Sequence, residues 1–120
     1  MARFVIHKHT REDDIHWDLM LEKGEVLVTW QVPREPEQWS RGQVYCEKIF
    51  DHRRKYLVYE GDIEGGRGKV CIVERGGYEP IEVTERCWRV EIEGDVLQGE
   101  LELRYLKGTL WQLSYQGKQG

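Results

Sequence analysis

Ile15-His16-Trp17-Asp18-Leu19-Met20-Leu21-Glu22 is the stretch on which the fold turns. Its residues alternate: Ile15, Trp17, Leu19 and Leu21 fall on one side, His16, Asp18, Met20 and Glu22 on the other. A period of two marks a β-strand with one apolar and one chemical face. Upstream, Phe4-Val5-Ile6-His7-Lys8-His9 is a second short strand-like run that ends on another imidazole.

Short runs of the same kind recur along the chain. Strands are expected at 25–30, 43–49, 55–59, 69–74, 87–93, 96–105 and 110–115. Gly24, the glycine-rich segment 61–68, Gly76-Gly77, Glu93-Gly94-Asp95 and Lys107-Gly108 supply the turns between them. Pro33 and Pro36 punctuate a loop that runs through Ser40, and the one plausible helical turn lies around 35–38. The pattern predicts an all-β fold, a compact antiparallel β-barrel of about eight strands with little helix, formed as one domain over residues 1–120.

Hydrophobic residues make up 39% of the chain and charged ones 33%, a balance that supports a folded, soluble globule. The net charge of −4 argues against a protein that grips long stretches of nucleic acid, because backbone binding relies on Lys and Arg. It leaves room for an enzyme that touches only a strand end, where a metal and a few cations supply local positive potential. No apolar run is long enough to span a membrane, and the N-terminus lacks a signal-peptide pattern, so a cytoplasmic protein is expected. Cys46, Cys71 and Cys87 form no CxxC pair and are expected to be reduced core thiols.

Four histidines limit the choice of chemistry. Residues two apart on a strand lie roughly 6.6 Å apart at Cα, so the tips of His16 and Asp18 can converge on one ion. With His9 they offer two imidazoles and a carboxylate, a donor set that suits a divalent transition metal and leaves positions open for a phosphate. Spacing alone leaves a second reading open, in which His16 and Asp18 are a surface pair and His9 a loop residue. His52 stands among cations in Asp51-His52-Arg53-Arg54-Lys55-Tyr56, where it could bind or protonate a phosphate oxygen, with the Tyr56 hydroxyl donating to the same anion. The 61–68 segment lacks the Gly-Lys-Ser/Thr ending of a P-loop and reads as a flexible loop. Trp17 and Trp30 lie in strand patterns and are expected to be buried. Trp39, in a polar loop, is the better candidate for stacking on a nucleobase.

Taken in order, these residues resemble the 3′-phosphoesterase domain of the bacterial DNA ligase D family. The family's F-V-I-x-K-H opening appears as Phe4 to His9, and its H-Y-D-F-R-L-E as His16-Trp17-Asp18-Leu19-Met20-Leu21-Glu22. A tryptophan-x-valine-proline element follows as Trp30-Gln31-Val32-Pro33, then D-H-x-x-x-Y as Asp51-His52 through Tyr56, then Tyr59-Glu60-Gly61. Gly66-Arg67-Gly68-Lys69-Val70-Cys71-Ile72, Arg75-Gly76-Gly77-Tyr78-Glu79-Pro80 and Leu101 to Gly108 with Trp111-Gln112-Leu113 complete the set, so the resemblance covers nearly the whole chain.

The resemblance implies a compact barrel with manganese-dependent activity on DNA 3′ ends. Such an enzyme trims a terminal ribonucleotide or removes a 3′-phosphate and leaves the 3′-hydroxyl a ligase needs. Carried over by position, His9, His16 and Asp18 are the metal ligands, with Mn²⁺ the first choice and Zn²⁺ or Co²⁺ the alternatives. His52 and Tyr56 contact the scissile phosphate. The implied partners are DNA or RNA/DNA 3′ ends and the ligase and polymerase of end joining, with no membrane and a monomeric state.

This sequence departs from the family at several points. Met20 stands where the family has an arginine, and Arg53, Arg54, Lys48 or Arg11 is expected to replace that phosphate grip. The His9–His16 spacing is one residue longer than usual, and the glycine segment is shortened at 63–66. The arm that precedes this domain in the ligases, associated with ribonucleotide trimming, is expected to be missing ahead of the barrel. The rival reading is a non-catalytic or weakly active barrel that binds a nucleic-acid end or a protein. In either case the three ligands are expected to meet at the barrel mouth.

Overall fold

The computed structural model describes residues 1–118. Nine strands are formed among the described residues: β1 (Ala2–Thr10), β2 (Ile15–Lys23), β3 (Val26–Val32), β4 (Val44–Arg53), β5 (Gly61–Asp62), β6 (Lys69–Val83), β7 (Cys87–Gly94), β8 (Gln98–Lys107) and β9 (Leu110–Gly117). Two short 3₁₀ turns, η1 (Pro36–Arg41) and η2 (Arg54–Leu57), interrupt them. The sheet runs β1-β2-β3-β4-β9-β8-β7-β6, and β6 returns to β1, closing an eight-stranded antiparallel barrel as the alternating pattern predicts. Closure removes the open edges through which a sheet would pair with other chains. The two-residue β5 lies against the start of β6. No helix among the described residues is long and apolar enough to cross a membrane.

The strand period decides which residues fill the barrel. Phe4 and Ile6 of β1 pair with Leu21 and Leu19 of β2, and these pair in turn with Val28 and Trp30 of β3. All six are buried in one cluster with Val90, Ile92, Leu101, Leu103 and Leu113. The Trp30 ring stands edge-on to Trp88 at 5.4 Å and to Trp111 at 5.5 Å. Trp39 is fully buried in the same cluster. The exposed stacking role expected of it is therefore wrong: η1, opening on Pro36, folds the indole inward, and its Nε1 donates to the Arg34 carbonyl.

The opposite face of β1 and β2 carries the pairs Val5↔Met20, His7↔Asp18 and His9↔His16. This outer face is also covered. Val5, Met20 and Leu27 form a second apolar cluster, capped by Leu57 of η2. Residues 55–59, expected as a strand, supply this cap instead: the Lys55 carbonyl accepts from the Val58 and Tyr59 amides, curling the chain back over the sheet. Beyond the apolar end the face turns polar, and the segment up to Gly68 approaches it there. Gly68 has φ +94°, and a Cβ on it would stand 2.2 Å from the Thr10 carbonyl oxygen, so only glycine allows this approach.

Two further expectations are corrected. Gly76-Gly77 does not turn the chain but runs within β6; a Cβ at Gly76 would meet the Glu93 carbonyl oxygen at 2.0 Å, so glycine there permits close strand packing. Of the three free cysteines only Cys46 is a core thiol, while Cys71 is exposed and Cys87 half-buried.

Candidate metal centre

His9 ends the outer face of β1, and His16 and Asp18 begin that of β2, so antiparallel pairing brings the three together. One ligand atom from each lies within 4.8 Å of the others, and all three residues are buried. His9 Nδ1 is 3.5 Å from Asp18 Oδ2, and His16 Nε2 is 3.4 Å from Asp18 Oδ1. The extra residue between His9 and His16 is absorbed in the β1–β2 turn, where the Arg11 amide donates to the Asp14 carbonyl. The meeting point is on the outer wall of the barrel. The barrel mouth is not the site, because odd-numbered residues of β1 and even-numbered residues of β2 face away from the core.

The second nitrogen of each imidazole is committed elsewhere. His9 Nε2 donates to the Arg67 carbonyl at 2.8 Å, and His16 Nδ1 to the Asp14 carboxylate at 2.8 Å. A carbonyl accepts only, so in the neutral ring this bond leaves His9 Nδ1 bare; Asp14 does the same for His16 Nε2. Both bare nitrogens turn to Asp18. Asp18 Oδ1 is buried and has no hydrogen-bond partner. A buried, unpartnered carboxylate oxygen is costly, and two bare nitrogens beside it form the oriented donor set a divalent ion takes. The residues present fit a metal.

Charge at the centre follows from these contacts. Burial opposes ionisation of Asp18, but the adjoining His16 and His9 imidazoles outweigh it and hold its pKa at about 2. Burial likewise opposes charge on His16, and the neighbouring carboxylates of Asp18 and Asp14 overcome it and raise its pKa. His7, beside Asp18 in the sheet, is pushed down to about 4 by burial, and its Nε2 has no partner.

The cluster opens into a cavity of about 650 Å³. His52, at the end of β4, lines it, with Nδ1 3.0 Å from the Phe50 carbonyl. Burial lowers its pKa despite the nearby Asp18 charge. Tyr56 of η2 also lines the cavity, its ring edge-on to His52 at 5.7 Å and to Tyr59 at 5.6 Å.

Among the expected phosphate-binding cations, Arg11 and Arg53 line the cavity and the other two do not. Arg54 is engaged by Glu22 at 2.6 Å, and Lys48 sits opposite Trp30 on β4, off the cavity wall. Sequence reading missed His7 and Arg67, which also line it, as does Lys55, one of the cations beside His52 in sequence. Parity with His9 along β1 was a usable signal for His7. Arg67 carries no comparable signal, because its carbonyl reaches His9 across 58 residues of sequence.

Fold and site together define a class, a small closed β-barrel with a two-histidine, one-carboxylate centre on its outer wall. Residues 6–110 match the family described as the DNA Ligase D 3′-phosphoesterase domain, and the chain belongs to that family. Relatives include the multifunctional non-homologous end joining protein LigD of Mycolicibacterium smegmatis, 29% identical over 91% of this chain and 16% of its own length. The multifunctional non-homologous end joining DNA repair protein LigD of Mycobacterium tuberculosis is 38% identical over 63% of this chain and 10% of its own. That of Pseudomonas aeruginosa, a multifunctional non-homologous end joining protein LigD, is 28% identical over 68% and 10%. The chain thus spans about a sixth or less of the curated relatives it matches.

Proposed function

We propose that residues 1–120 form a single 3′-phosphoesterase-like domain that heals DNA 3′ ends, removing a 3′-phosphate or a terminal ribonucleotide to leave a 3′-hydroxyl for ligation. The observation that carries this reading is the meeting of two bare imidazole nitrogens and the unpartnered Asp18 oxygen at one point of a cavity that also holds His52. Membership of the family and the end-joining names of the relatives support the same role in repair.

His9, His16 and Asp18 would hold the metal, Mn²⁺ by preference. A divalent ion bound there supplies Lewis-acid stabilisation of charge developing on a phosphoryl oxygen. His52 is neutral before substrate enters, its Nδ1 hydrogen given to Phe50 and its Nε2 an acceptor. A phosphate beside it favours the imidazolium, so His52 takes up a proton from solvent and donates from Nε2 to the phosphate. As water oxygen bonds to phosphorus, the bond from phosphorus to the 3′ oxygen breaks. His52 gives its proton to that oxygen, and the water's proton leaves to solvent. Tyr56, Arg11 and Arg53 orient the phosphate. Phosphate release from a 3′-phosphorylated duplex end in Mn²⁺ tests the reading. The parent turns over, and His9→Ala and His52→Ala each lose at least about a hundredfold; equal rates for parent and His9→Ala would remove His9 from the site.

Met20 favours a second reading. It sits 1% exposed among apolar side chains, so this position offers no cationic grip on phosphate. A module that binds an end without cleaving it would show metal-dependent broadening of the His9 and His16 ring signals and no turnover.

A further inference from the structure

Phe50 is 74% exposed, yet it lies on the cavity wall rather than on a remote surface. Its ring is parallel to the His52 imidazole, with 2° between planes and 4.9 Å between centroids. The same residue's carbonyl holds His52 Nδ1. Most of the residue is in solvent, and the cations Arg53 and Arg11 line the same cavity. An apolar ring kept in water on the wall of a cavity that also carries arginines and the candidate metal ligands matches a ligand that is flat and apolar at one end and anionic at the other. A nucleotide has that shape, and every base offers a π-face. The Phe50 and His52 rings lie 4.9 Å apart between centroids, so a base by one and a phosphate by the other belong to a single nucleotide.

We infer that Phe50 is a stacking platform for the terminal nucleobase of the 3′ end, a positioning and specificity residue that sets the end nucleotide against His52. The inference rests on the end-healing reading above and deepens it, because it makes recognition depend on the base as well as on the phosphate. Phe50 takes the stacking role that burial denies to Trp39.

The test is binding, in Mn²⁺, of two duplexes ending in a 3′-hydroxyl, one with its terminal base and one abasic at that position. Neither can be dephosphorylated, so affinity is read without turnover. The parent prefers the base-bearing end by about tenfold, in the range of base–aromatic stacking. In Phe50→Ala that ratio falls to about one; in Phe50→Trp it is kept, and the indole fluorescence is quenched by the base-bearing end alone. A ratio near one in the parent, or a Phe50→Ala variant that keeps the parent's ratio while weakening both ends equally, overturns the inference and leaves Phe50 as a shield for His52. Failure of the end-healing reading is read separately, as absence of Mn²⁺-dependent phosphate release from a 3′-phosphorylated duplex end, while the binding ratio still reports on Phe50. A parent that binds neither end overturns the inference and leaves the end-healing reading to the phosphate-release assay.

Discussion

Asp14 touches no point where an ion would sit, yet it fixes which nitrogen His16 offers. Its carboxylate receives Nδ1–H at 2.8 Å, leaving Nε2 toward Asp18. Partners of this kind are worth about 10–100-fold in metal affinity. Asp14→Ala therefore weakens Mn²⁺ or Zn²⁺ binding by about tenfold or more in calorimetric titration, with the fold intact because Asp14 is exposed. Undiminished affinity would mean that sheet packing alone orients the ring. The cysteines differ in the same local way. Burial pushes the Cys46 thiol up to about 12, whereas Cys71 is exposed. Thiolate is the reacting form. At pH 8 a disulfide reagent modifies Cys71 first and reaches Cys46 only when the barrel unfolds, as peptide mapping of labelled protein would show; early labelling of Cys46 would contradict the packing.

At the scale of elements, η2 divides the outer face of β1–β3 into a dry half and a reactive half. Leu57 seals Val5, Met20 and Leu27, and two residues before Met20 in β2 lies Asp18. This explains how the position where the family has arginine tolerates methionine: the side chain fills a gap under η2. Restoring the charge as Met20→Arg sets an unpaired guanidinium against Leu57 and costs about 2–5 kcal/mol. Thermal unfolding of that variant falls by at least about 5 °C, whereas Met20→Leu stays close to the parent. Equal stability of Met20→Arg and parent would mean that η2 lifts freely and that the cap is not a fixed wall. The 55–59 run was misread as a strand for the same reason. Alternation over four or five residues does not separate a strand from a single turn whose apolar residue has something to cover.

The whole molecule carries a net charge of −4, and its cavity has no excess of positive charge of its own. Arg11, Arg53, Lys55 and Arg67 on the lining are matched by Asp18, Asp51, Asp62 and Glu64. A divalent ion at the centre tips that balance, so sulfate binds measurably only after Mn²⁺ has been added; titration calorimetry with and without the ion checks this. Sulfate bound equally well in chelator would show that the arginines suffice. The alternation at 4–9 and 15–22 already separated Phe4, Ile6, Leu19 and Leu21 from His9, His16 and Asp18, because side-chain direction in a strand depends on its own residues. It also pointed to the barrel class, which the closed sheet bears out, and offered the trio as one of two readings. Three things required the folded chain: that the trio sits on the outer wall, that Arg54 and Lys48 turn away while His7 and Arg67 join, and that Phe50 rather than Trp39 is exposed. Each depends on contacts made by distant residues, such as β1 closing on β6 or the Arg67 carbonyl reaching His9, and no local periodicity encodes where such partners will meet.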